Sequence, residues 1–132
     1  MEAVKYFDSG YSCSESIVME AVDMQLCDKS LLPVATPFSG GMGSGCLCGA
    51  VSGAQMVIGV LFGKNNKFGN EPKARQLAKE FVDKFKSKHK ATCCKVLSRE
   101  FEFSSPERRE HCKLLVEDCS KILKDIVACE RV

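Results

Sequence analysis

The sequence predicts an all-α, single-domain bundle of about five to six helices, and three observations carry that expectation. Apolar residues recur at i, i+3, i+4 and i+7 along much of the chain, the spacing of a buried helical face. Nothing alternates with period two for long enough to make a strand; Val34 to Phe38 and Glu100 to Phe103 are short candidates for extended chain. No internal repeat and no Ser- or Pro-rich linker divides the 132 residues, so one domain spans 1–132.

Taken in order, Met1 to Asp8 reads as a short helix stopped by Gly10. Ser12-Cys13-Ser14-Glu15 is a capping box, with Ser12 as N-cap and Glu15 reaching back to it. The helix it opens runs to about Leu26, with Ile17, Ala21 and Met24 on one face. A short apolar turn, Leu31 to Ala35, leads through Pro37 into the glycine-rich loop Phe38-Ser39-Gly40-Gly41-Met42-Gly43-Ser44-Gly45. The central helix follows, within Leu47 to Phe62. It is too short, and too interrupted by Ser52, Gln55 and glycines, to span a membrane.

Lys64 to Glu71, with Asn65, Asn66, Gly69 and Asn70, forms the next connection. Pro72 suits a helix first turn, and Leu77, Ala78, Phe81, Val82 and Phe85 give that helix its apolar face. Thr92 is the expected cap of a short helix ending at Leu97. Ser105-Pro106 starts the last helix, whose stripe is Cys112, Leu115, Val116, Cys119, Ile122, Leu123 and Ile126.

Composition excludes several classes. With 45% hydrophobic and 27% charged residues, the chain is neither disordered nor fibrous. Nineteen basic against 17 acidic residues leave a formal charge of +2, too weak a field for nucleic-acid binding. No hydrolase or kinase constellation is visible. The outlying number is nine cysteines, an odd count that cannot all pair within the chain. The N-terminal residues carry no signal-peptide pattern, so a cytoplasmic location is expected, where sulfur serves metal or redox chemistry more often than structural disulfides.

Several of these sulfurs fall at expected helix starts: Cys13 after the Ser12 cap, Cys46 and Cys48 after the glycine loop, Cys93 and Cys94 after Thr92. The helix dipole and free N–H groups there favour the thiolate, lowering its pKa. Lys84, Lys86, Lys88, Lys90 and Lys95 push the same way, although a lysine run is ordinarily a solvated face. Cys112 and Cys119 read as small hydrophobes on the last helix, Cys27 and Cys129 as element ends, and His89 and His111 as surface residues. No Cys-x-x-Cys pair, haem-attachment motif or ferredoxin run occurs, so a site must gather sulfurs from separate helices.

The glycines allow two readings. Gly49-x-x-x-Gly53, Ala50-x-x-x-Ala54 and Gly59-x-x-x-Gly63 serve either close helix packing, in the core or across a homodimer interface, or room for a cofactor. The loop before them invites a phosphate, but it has no Lys-Ser or Lys-Thr ending and no preceding strand. It is neither a P-loop nor a dinucleotide fingerprint. A flexible approach to Cys46 and Cys48 accounts for its glycines better.

Four blocks of the chain carry a family resemblance. Gly10-Tyr11-Ser12-Cys13-Ser14-Glu15, Phe38 to Gly43 with Cys48-Gly49-Ala50-Val51-Ser52-Gly53, Cys94-Lys95-Val96-Leu97, and Cys112 with Leu115-Val116 together resemble the C_GCAxxG_C_C family of redox-active proteins. The resemblance implies an α-helical redox protein of prokaryotic type whose cysteines map to Cys13, Cys48, Cys94 and Cys112, as catalytic residues or metal ligands. Cys93 is an alternative to Cys94, and Cys46 stands beside Cys48; Cys46, Cys93, Gly49 and Gly53 would flank a cofactor. The domain is also similar to part of the split-Soret cytochromes, a likeness that goes with an iron–sulfur centre, although their haem-attachment motif is missing here.

Three functions follow as expectations. The first is an electron carrier or oxidoreductase holding an iron–sulfur cluster on the four mapped cysteines and serving an unidentified redox partner. The second is metal-free thiol–disulfide chemistry without a cofactor. The third is a structural zinc site or a plain helical interaction module, with zinc ranked below iron–sulfur for want of a close cysteine pair.

Overall fold

The computed structural model describes residues 2–64, 71–102 and 105–130. Among them run seven helices: α1 (Glu2–Asp8), α2 (Cys13–Asp23), α3 (Leu32–Ala35), α4 (Gly49–Phe62), α5 (Glu71–His89), α6 (Cys94–Leu97) and α7 (Pro106–Glu130). Five have seven residues or more and correspond to the expected bundle, while α3 and α6 are single turns of four. No strand forms among the described residues. Val34 to Phe38, a candidate for extended chain, is instead helical, the end of α3 followed by a 3₁₀ turn. Residues 65–70 of the expected connection, and Phe103, lie outside the described residues.

The capping box at α2 forms as the sequence requires: Ser12 Oγ accepts from Glu15 N at 3.3 Å, and Glu15 Oε1 accepts from Ser12 N at 2.9 Å. The far end of α2 differs from expectation. The helix stops at Asp23, and Gln25 turns left-handed with φ 61°. Gln25 N–H then bonds Val22 O and Leu26 N–H bonds Ala21 O, a Schellman motif with glutamine in the place usually taken by glycine. That reversal swings Leu26 inward and leaves Met24 42% exposed, so Leu26 rather than Met24 completes the apolar face.

One hydrophobic core joins α1, α2, α4, α5 and α7 through residues such as Phe7, Ile17, Val51, Phe81, Phe85, Val116 and Ile126. Helices α2 and α4 approach closely because Gly53 faces the backbone of α2; a Cβ there would stand 2.7 Å from Ser14 O. The Gly49–Gly53 face is therefore filled within the chain by α2. The core also holds a polar centre at Glu20, whose carboxylate accepts from Ala3 N at 2.9 Å and from Ser120 Oγ and pairs with Lys124 Nζ at 3.2 Å. This satisfies a buried acid that would otherwise be costly.

Helix α6 is placed by main-chain pairing. Leu47 and Cys93 form an isolated antiparallel bridge, in which Cys48 N–H donates to Thr92 O at 2.7 Å and Cys94 N–H to Cys46 O. Cys93, not Thr92, is the N-cap of α6, and it makes no side-chain capping bond. Thr92 is occupied instead as an acceptor in the bridge.

Candidate functional site

Four helix beginnings meet around one cavity. Cys13 opens α2, Cys48 caps α4, Cys94 opens α6, and Cys112 lies in the second turn of α7. All four line a cavity of about 540 Å³, together with Phe7, Leu97 and Leu115 on its apolar side and Arg108 and Arg109 on its charged side. The capping box sets where Cys13 emerges, the bridge sets Cys48 against Cys94, and the Ser105 cap of α7, accepting from Arg108 N at 3.0 Å, sets Cys112.

Gly49 makes this convergence sterically possible. A Cβ at that position would collide with Cys13 Sγ and lie 2.9 Å from Phe38 O. The glycine loop makes a similar allowance. Gly41, with φ 66°, presses on Cys94, and a Cβ there would stand 2.8 Å from Cys94 Cβ. The chain follows a left-handed path through Gly40, Gly41, Met42 and Gly43 to bring the loop there.

Burial raises three of these thiols above their ordinary value. It pushes Cys13 up from its ordinary value, although N–H groups of Gly40 and Ser14 work against it. It pushes Cys48 up to about 12, with the neighbouring Cys13 adding to the shift. Cys112 is also raised by burial, while the Arg108 and Arg109 guanidinium groups oppose the rise. The expectation that helix starts lower the thiol pKa is thus overturned for Cys13 and Cys48: desolvation in an apolar wall outweighs the helix-terminal N–H groups.

The remaining sulfurs separate cleanly from these. Cys93 is half-buried and its Sγ lies 3.1 Å from Gly45 O, outside the cavity that Cys94 lines. Cys46 is exposed and contributes its carbonyl to the bridge. Cys119 is fully buried in the core two turns beyond Cys112, where burial raises its thiol well above the ordinary value. Cys27 is half-buried and Cys129 exposed; all nine sulfurs are free thiols. Gly49 lines the cavity, whereas Gly53 serves helix packing.

Both histidines are partly buried and hydrogen-bonded rather than fully exposed. His89 Nε2 lies 2.8 Å from Asp118 Oδ2, and His111 Nε2 lies 2.8 Å from Leu97 O while stacking on Phe101. Neither lines the thiol cavity. The lysine run likewise stays away from that cavity, and Lys84 and Lys88 pair with Glu80 and Asp118.

Sequence reasoning missed the arginines. Arg108 Nη2 donates to Cys94 Sγ at 3.5 Å. Arg109 donates to Phe7 O, and its guanidinium stacks over the Phe7 ring at 4.1 Å. The available signal was their position, four and three residues before Cys112 on one helix, hence on its face. Among the described residues, no group of three or more His, Cys, Asp or Glu side chains is arranged to hold a metal ion, and no helix is long and apolar enough to cross a membrane.

No curated protein and no solved structure matches the chain. The model of one family, described as "Putative redox-active protein (C_GCAxxG_C_C)", matches residues 11–126, a span that takes in all four cavity thiols and the loop between the first two. The chain belongs to the C_GCAxxG_C_C family.

Proposed function

We propose that this is an electron-transfer protein or oxidoreductase whose Cys13, Cys48, Cys94 and Cys112 hold an iron–sulfur cluster. The observation that carries the reading is the meeting of these four thiols, from four separate helices, on one 540 Å³ cavity. Four thiolates are the donor set that such clusters take. The cavity is roomy enough for a polynuclear group, whereas one zinc ion needs its sulfurs gathered at about 2.3 Å.

A bound cluster supplies one-electron transfer. The chain's own contribution is to hold and shield it. Phe7, Leu97 and Leu115 keep water from one side, and Arg108 and Arg109 place positive charge against the anionic sulfurs. Ligation must displace the protons that burial holds on Cys13, Cys48 and Cys112, which makes loading favourable at higher pH.

The test is protein produced without oxygen and with iron and sulfide. Brown protein containing iron and acid-labile sulfide is expected, with both reduced by serine at position 13, 48, 94 or 112 and retained in Cys46→Ser, Cys93→Ser and Cys129→Ser. Colourless, iron-free protein under those conditions overturns the reading. Stoichiometric zinc without a redox response would replace it with a structural metal site.

A further inference from the structure

The glycine loop has no cation of its own, but the fold supplies three. A groove of about 680 Å³ runs between the loop and α6, lined by Gly43 to Gly45, Lys95, Arg99, Phe101 and Arg108. Among the described residues, no acidic one lines it. Among the described residues, no carboxylate forms an ion pair with Lys95 or Arg99. Lys95 lies with its aliphatic stem against Gly45, where a side chain on residue 45 would collide with it.

We infer that this groove is an anion subsite that takes the phosphate group of a small-molecule ligand. Three cations on one concave wall give a focused positive field, and guanidinium groups match the paired oxygens of phosphate. The loop is no P-loop, and the cationic side chains come from the start of α6, the turn after it and the start of α7, which is why sequence motifs do not reveal the groove.

The groove adjoins the thiol cavity. Both are lined by Gly40, Cys94, Ser98 and Arg108, so a ligand anchored at Lys95 and Arg99 sits next to the cysteines, with Arg108 and Cys94 between the two spaces. The inference rests on the redox reading only for what the ligand does there. On that reading the phosphate anchors the ligand, and its remaining part meets the redox centre.

The experiment is calorimetric titration of the full chain with pyrophosphate at low ionic strength, repeated with inorganic phosphate and with acetate. Saturable binding is expected for pyrophosphate, weaker for phosphate and absent for acetate. The double variant Lys95→Gln/Arg99→Gln should weaken pyrophosphate binding at least tenfold. The double variant Lys84→Gln/Lys121→Gln removes the same charge far from the groove and should change it less than twofold. No binding, equal binding of acetate, or equal weakening by both double variants overturns the inference. Iron and sulfide content measured on the same samples keeps the two questions apart: loss of binding with iron retained rejects the subsite alone, and binding without iron rejects the cluster alone.

Discussion

The sulfur of Cys13 occupies the space that a side chain on Gly49 would need, with Phe38 O closing the same space at 2.9 Å from an ideal Cβ. Gly49→Ala sets two effects against each other. Alanine gains at most about 1 kcal/mol of helix propensity at this helix start. Overpacking against a backbone carbonyl and a buried thiol costs about 1–3 kcal/mol. The expected result is net destabilisation of about 1–2 kcal/mol in urea unfolding, with reduced iron content. Gly59 is the contrasting case, because nothing lies within 4 Å of its ideal Cβ. Gly59→Ala should therefore raise stability by about 0.5–1 kcal/mol. Equal effects from the two substitutions would contradict this account of α4.

Cys48 links thiol burial to stability at high pH. Its thiol is raised from an ordinary value near 9 to about 12 in the folded chain. Above pH 9 the unfolded chain loses a proton that the folded chain keeps, so stability should be full below that pH and fall as pH rises from 9 toward 12. In metal-free protein, Cys48→Ala should flatten this fall compared with the parent. Alkylation offers a second readout: at pH 8 the exposed Cys46 and Cys129 should react first with iodoacetamide, and Cys48 and Cys119 only after denaturant is added. Rapid native labelling of Cys48 would refute the prediction.

Glu20 ties α1, α2 and α7 together through Ala3 N, Ser120 Oγ and Lys124 Nζ. Its side chain is 4% exposed, so removing the carboxylate leaves the buried Ala3 N–H and Ser120 hydroxyl without their acceptor. Glu20→Ala is expected to cost about 3 kcal/mol, the scale for leaving two buried donors unpaired. Glu20→Gln, which keeps the shape and one acceptor oxygen, should cost less. A midpoint shift below about 1 kcal/mol for the alanine variant would mean that water replaces the network without penalty.

Local signals were readable wherever the cause was local. Ser12 and Glu15 cap α2 as their spacing requires, and the stripe from Leu115 to Ile126 faces the core. Cys13, Cys48, Cys94 and Cys112 were named from the family motifs, and the fold brings them to one cavity. What could not be read depends on partners distant in sequence. That Cys94 rather than Cys93 lines the cavity follows from the bridge to Leu47, and the inward turn of Leu26 from a left-handed glutamine. The thiol protonation was misjudged because helix-terminal N–H groups can be seen in a sequence whereas the apolar wall around Cys13 and Cys48 cannot. Arg108 and Arg109 look like ordinary charges of a helix first turn until α1 and α6 are packed beside them.

The bridge between Leu47 and Cys93 uses only peptide groups: Cys48 N–H to Thr92 O and Cys94 N–H to Cys46 O. The relative placement of the Cys48 and Cys94 backbones therefore does not depend on which side chains stand at 46, 47, 92 or 93. A substitution at 46 or 93 that keeps the peptide groups in place therefore leaves both hydrogen bonds of the bridge intact. The span between the second and third cavity thiols is then a property of the main chain rather than of the side chains at 46 and 93.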